Sequence, residues 1–234
     1  MILTPNELRH ARSLEEISSN PAIESRCGNP EELGVKLEDL LPLYEHNPDW
    51  EDVIIDDDLL DCALRFEDMG AAWHTKEDFP EILGEFNLLH FYDVFDQSSG
   101  PPPLSDSSPF QREFLSQLRV FDNTRRSGAG MLTYIRMQPA VTPLEIWYED
   151  RAEIGTSPYP SYLIKLDMSY CEYLQAVTLT KGTYGWQYLY TDVSLRDPQL
   201  HSEALYLQNM LEVFPKLFPA YDYAPLRQRL EARL

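Results

Sequence analysis

Met131-Leu-Thr-Tyr-Ile-Arg-Met137, Leu144-Glu-Ile-Trp-Tyr148 and Tyr162-Leu-Ile-Lys-Leu166 are short runs rich in β-branched and aromatic residues, with Pro, Gly, Asp and Ser between them. Such residues fit a pleated, half-buried surface, and the intervening turn formers reverse the chain, so the stretch predicts a strand meander. Directly after it, Tyr173, Leu174, Val177 and Thr178 stand at helical spacing, and Gly182 supplies a stop. A helix over Ser169 to Lys181 therefore follows the last strand. Gly185-Trp-Gln-Tyr-Leu-Tyr190 is a compact aromatic segment beyond it.

Outward from this region the punctuation is clear at both ends. Leu205, Leu207, Met210, Leu211 and Phe214 predict a helix from His201 that stops before Pro215, and Ala224 to Leu234 predicts a terminal helix whose arginines suit its C-terminal half. Towards the N-terminus, Phe110 to Leu118 predicts a short helix. Residues 96–109 combine Ser, Gly and a proline triplet, which cannot join a ladder and so form an exposed loop. Gly84 to Phe95 is apolar and aromatic enough for one strand, and Trp73 to Phe79 reads as a connection. Between Asp56 and Met69 the apolar residues approximate one helical stripe with carboxylates outside it. Asn29 predicts the cap of a helix running to Leu40. Thr4, Pro5 and Glu7 have the order of a capping box with proline at the first helical position, predicting a helix that ends near Asn20-Pro21.

Charge is distributed unevenly along this frame. Residues 31–96 hold 20 of the 39 carboxylates and 3 of the 19 Lys/Arg, leaving a net −3 to the other 168 residues. Ionised carboxylates are almost never fully buried without partners, so the segment predicts one broad negative surface. That surface repels nucleic acid and anionic membrane and attracts basic proteins. Its densest part, from Asp49 to Asp61, predicts a partner-binding face of Asp49, Glu51, Asp52, Asp56, Asp57, Asp58 and Asp61, with Trp50 as an aromatic anchor. A solvated face serving only solubility is the competing account. Tyr184, Trp186 and Tyr188 are a candidate second surface.

Length and composition are those of one folded domain over 1–234: 43% hydrophobic and 12% aromatic content excludes a disordered acidic chain. Cys27, Cys62 and Cys171 are odd in number and far apart, which argues against a disulfide framework or zinc knuckle and for a reducing compartment. With no basic-then-apolar leader pattern and no membrane-length apolar run, the expected location is the cytoplasm.

Catalytic motifs are missing. The five histidines lack close zinc spacing, and Asp56-Asp57-Asp58 lacks the loop pattern that fixes a divalent cation. Ser127-Gly-Ala-Gly130 has no following Gly-Lys-Ser/Thr, and Gly155-Thr-Ser-Pro158 is not a nucleophile elbow. The expectation is a protein without catalytic residues, cofactor or metal.

The run from Leu144 to Tyr148, then Tyr162 to Leu166, Tyr170-Cys-Glu-Tyr-Leu174 and Lys181-Gly-Thr-Tyr-Gly-Trp-Gln-Tyr-Leu-Tyr190 resembles the C-terminal part of the SUKH superfamily over about residues 118–214. Leu40-Leu-Pro-Leu-Tyr44 is a loose counterpart of that family's early Leu-Pro turn. The resemblance implies an α+β domain, with a mixed or mainly antiparallel sheet flanked by helices. It also implies an immunity protein that blocks a toxin, or a regulatory interaction module. Joined to the charge, it leads to a non-catalytic protein occluding a basic, nuclease-type toxin domain. A nucleic-acid mimic and an uncharacterised hydrolase are the rival readings.

Overall fold

A computed structural model describes residues 2–44, 50, 52–149 and 152–234. In chain order its elements are α1 (Pro5–Ser19), β1 (Ile23–Cys27), α2 (Leu37–Tyr44), α3 (Asp57–Cys62), β2 (Met69–Thr75), β3 (Leu83–Leu88), α4 (Phe91–Phe95), α5 (Pro109–Ser116), β4 (Leu118–Asn123), β5 (Leu132–Arg136), β6 (Glu145–Glu149), β7 (Leu163–Leu166), α6 (Tyr170–Thr180), α7 (His201–Leu217) and α8 (Ala224–Glu231). The strands form one antiparallel sheet in sequential order, β1 to β7. The chain is thus an α+β domain, as its resemblance implied.

Period-two alternation explains how a sheet of such apolar strands finds cover. Ile135, Ile146, Tyr148, Ile164 and Leu166 enter a large core together with residues of α1, α6 and α7. Their neighbours Tyr134, Trp147 and Leu163 point to the opposite face, where Phe114 and Leu115 of α5 and Tyr159 form a smaller core. The central strands are therefore buried on both faces, and the polar residues they carry, Glu85, Asn87, Arg119, Asp122 and Thr133, are buried with them. Several helix ends are written in the side chains: Thr4 and Glu7 close a capping box on α1, and Ser169 and Glu172 close another on α6.

The β3–β4 junction departs from a regular ladder. Its register contains the single pair Leu88↔Asp122, next to a bulge between Val120 and Asp122. Where β4 diverges, the strap following α6 takes its place: Glu85 N–H donates to Gly182 O at 2.9 Å, and Tyr184 N–H donates to Leu83 O at 2.9 Å. Asp122 lies buried behind this gap, accepting from Asn87 N–H and from the Tyr173 hydroxyl, each at 2.7 Å. Burial raises its carboxyl to about 6 despite those donors.

Several sequence expectations are corrected. Asn29 does not cap a helix; residues 32–34 run extended against 65–67, with Gly34 N–H on Arg65 O and Glu67 N–H on Glu32 O. The acidic helix ends at Cys62 rather than Met69, because Leu64 and Phe66 are buried and Arg65 is drawn to the fully buried Glu7 at 2.6 Å. Trp73 to Thr75 belong to β2, whose inward side chains include Met69, Ala71 and Trp73. The run Gly84 to Phe95 is broken by His90, whose ring accepts from Tyr92 N–H and so starts α4. Helix α7 passes through Pro215; the Leu211 carbonyl left without the proline's N–H receives the Arg227 guanidinium instead.

The cysteine expectation is also overturned. Cys62 and Cys171 form a disulfide that joins the end of α3 to the first turn of α6, with Cα atoms 5.7 Å apart. Separation in sequence carried no information about separation in space. Among the described residues, no helix is long and apolar enough to cross a membrane.

Candidate partner-binding site

The segment before α3 and the N-cap residue Asp56 itself are tied to the meander. Val53 bridges Pro139, Ala140 N–H donates to Asp52 O at 2.9 Å, and the Thr142 hydroxyl donates to Asp56 at 2.8 Å. Asp52 and Ala140 both adopt positive φ, 63° and 56°, to make this crossing. On the other side α2 packs against α4. Between these pieces lies a cleft of about 480 Å³ lined by Leu41, Pro42, Tyr44, Trp50, Val53, Ile55, Phe95 and Met137, with Asp52 among its lining residues.

The cleft is aromatic. Phe95 is the hinge of its wall, with the Tyr44 ring 4.9 Å away and the Trp50 ring 5.1 Å away in an edge-on arrangement. The Arg119 guanidinium carbon lies 5.1 Å from the Trp50 ring, and the indole N–H has no hydrogen-bond partner among the described residues. Asp93 and Asp96, both exposed on or just after α4, contribute negative charge near Tyr44. Burial first, then Tyr92 and those two carboxylates, raise the Tyr44 hydroxyl above the usual tyrosine range. Leu43 (72% exposed) and Tyr92 (49% exposed) project from the same two helices. An apolar slot with Asp52 in its lining and Asp93 and Asp96 near its Tyr44 wall suits a side chain with an aliphatic stem and a cationic head.

The proposed acidic face is brought together in part. Asp57, Asp58 and Asp61 are exposed on α3. Phe91 of α4 packs on Tyr170, beside the Cys171 that bonds α3, so these carboxylates share one end of the molecule with the cleft. Asp56 has a structural duty, accepting Leu59 N–H at 2.8 Å as the cap of α3. Asp52 is exposed at the cleft, and Trp50 is half-buried against the core rather than projecting. Asp49 and Glu51 lie outside the described residues.

Other carboxylates of the 31–96 segment do not join them. Glu77, Asp78 and Glu81 occupy the β2–β3 turn, at the opposite end of those strands from α4. A strand of β2's length separates the two groups by roughly 20 Å. Glu85 is buried and accepts the N–H groups of Arg126 and Ser127. Asp68 is paired with Arg125 and Arg126. The single negative surface expected from composition is therefore corrected to an α2–α3–α4 face and a separate turn.

The second aromatic surface is corrected as well. Gly185, at φ 81°, turns the chain into a 3₁₀ turn over Trp186–Tyr190 that drives Trp186 and Tyr188 inward, leaving them 1% and 3% exposed. Trp186 packs between Tyr173 at 4.8 Å and Tyr190 at 5.8 Å. Tyr184 alone is half-buried, its hydroxyl bonded to Ser127 and Glu85.

Lys181 is wholly buried, its ammonium donating to Ser13, Glu16 and Tyr221, and burial lowers it to about 8 against the pull of Glu16. Among the described residues no group of three or more His, Cys, Asp and Glu could hold a metal ion. No family model, curated protein or solved structure matches the chain.

Proposed function

We propose that this chain is a non-catalytic binding protein that occludes a basic protein partner, with a nuclease-type toxin domain as the partner class. The observation that carries this reading is the coincidence, at one end of the molecule, of an open aromatic cleft with exposed carboxylates that make no ion pair among the described residues. Asp57, Asp58 and Asp61 would draw a basic surface in, and Asp52, Asp93 and Asp96 would hold the head of a Lys or Arg whose stem lies along Tyr44 and Phe95. Charge of this kind acts over about 8 Å at physiological salt, so it accelerates encounter, while the desolvated slot sets residence time. A nuclease blocked in this way loses its phosphate-binding groove to carboxylates. The resemblance to SUKH immunity proteins supports the partner class, and we place the activity in the cytoplasm.

The test is capture of the partner by the tagged full chain, followed by association kinetics at increasing salt. Replacing Asp57, Asp58 and Asp61 together by Asn should slow association and weaken its salt dependence, leaving folding unchanged. Phe95→Ala should raise the dissociation rate. Association that is insensitive both to salt and to the triple replacement would remove this face from the account.

A further inference from the structure

Helix α3 is held to the body by few contacts. It spans only Asp57–Cys62, too short for a helix to persist in water by itself, and Leu59 is its one fully buried side chain. Around it, Asp56 caps the first turn, Asn6 donates to the Cys62 carbonyl, and Thr142 donates to Asp56. Leu60 and Cys62 add partly buried contacts with the large core, and the strongest attachment is covalent. Cys62 at the last position of α3 and Cys171 in the first turn of α6 are joined, and both residues are half-buried, at the surface where a small thiol can reach them. By contrast, neither core depends on the pair: the sheet and the helices α1, α5, α6 and α7 meet through buried apolar side chains elsewhere.

We propose that the Cys62–Cys171 bond is a redox latch that fixes the acidic helix α3 against α6, and that its reduction releases α3 while the sheet and both cores stay folded. A dithiol reductant supplies the chemistry. Its thiolate attacks one sulfur, the S–S bond breaks to a mixed disulfide and one cysteine thiolate, and the reductant's second thiol displaces the other cysteine. Two electrons pass to the protein, which gains two thiols after protonation, and the reductant leaves as its own disulfide. In a reducing compartment α3 is then held by Leu59, by partly buried Leu60 and Cys62, by its caps and by the Asn6 bond to the Cys62 carbonyl. Exchange with a disulfide oxidant, which takes up the two electrons and leaves as its dithiol, re-forms the bond and restores a preorganised row of Asp57, Asp58 and Asp61. That this row faces a partner rests on the function proposed above; the release of α3 does not.

Hydrogen exchange on the purified full chain, with and without dithiothreitol, reads the latch directly. The amides of Leu59, Leu60 and Ala63, bonded within α3 and its cap, should exchange at close to unprotected rates after reduction, while β4–β6 amides stay protected by the folded cores and quicken only as far as the lowered global stability requires. Cys62→Ser should exchange like the reduced protein and ignore dithiothreitol, and Cys27→Ser should respond as the parent does. Unchanged protection of α3 on reduction would overturn the proposal, as would complete loss of protection over β4–β6, which would make the bond a staple of the whole fold. If α3 is released as expected but partner binding is the same in both redox states, the latch stands and the assignment of α3 to the partner face fails.

Discussion

Replacing Asp122 by Asn should remove a pH dependence from folding stability whose sign follows from burial. In the folded chain the Asp122 carboxyl titrates at about 6, because burial outweighs the donors from Asn87 and Tyr173, whereas its ordinary value is 3.8. Between those two values the folded state keeps a proton that the unfolded chain has released. Stability from this group is therefore complete below the lower value and is lost as pH rises through the higher one. A rise of about two units corresponds to about 3 kcal/mol. The variant does not titrate, so its stability relative to the parent should climb by about 3 kcal/mol from about pH 4 to about pH 7. The comparison must be a difference between the two proteins. His10 acts in the opposite direction, because burial lowers it to about 4 from 6.5 and its contribution grows with pH across the same window. Urea unfolding of both proteins at several pH values measures the difference. Asn retains one acceptor and faces a donor with its amide, so the variant's absolute stability carries a constant offset of about 1–3 kcal/mol, leaving the slope as the readout. A difference that stays flat across the window would refute the reasoning.

Three further outcomes are expected. Glu7→Gln should lower stability by about 3–5 kcal/mol, since it leaves Arg65 unbalanced in a site where Glu7 is fully buried, and chemical denaturation measures it. Gly84→Ala should cost about 1–3 kcal/mol and alter tryptophan fluorescence, because the added carbon would lie 2.5 Å from the Trp73 ring, whose N–H is held by the Lys181 carbonyl. Cys62→Ser should reduce stability by about 2–5 kcal/mol through the denatured chain, whose cross-link spans 109 residues, and calorimetry would show it as a lowered Tm.

The elements legible in the sequence were those with local causes. Thr4 and Glu7, Ser169 and Gly182, and the three apolar runs after residue 130 carry their own stop or start signals, and each appears where those signals fall. β1 was missed because it is an edge strand whose outward Glu24 and Arg26 dilute a five-residue run. β4 was missed because its bulge shifts the register after Val120, so that Phe121 enters the large core and the adjacent Asp122 reaches Tyr173 of α6, breaking strict alternation. The carboxylates of the candidate site could be seen in composition. The cleft could not, because its walls come from α2, from residues 50–55, from Phe95 and from Met137, and only the folded chain brings them together.

The strap at residues 182–184 orders events during synthesis. β1, β2 and β3 are complete once residue 88 has emerged, yet the outer edge of β3 is finished mainly by Gly182 and Tyr184, which reach the tunnel exit only after the whole β4–β7 meander and α6. Through that interval the nascent three strands present a bare β3 edge, the kind of surface on which strands from other chains pair. The meander meanwhile closes by successive neighbouring pairings and can form early. Any chaperone dependence of this protein should therefore concentrate on chains stalled between residue 88 and residue 184, and slow translation across the meander would lengthen the exposure rather than relieve it.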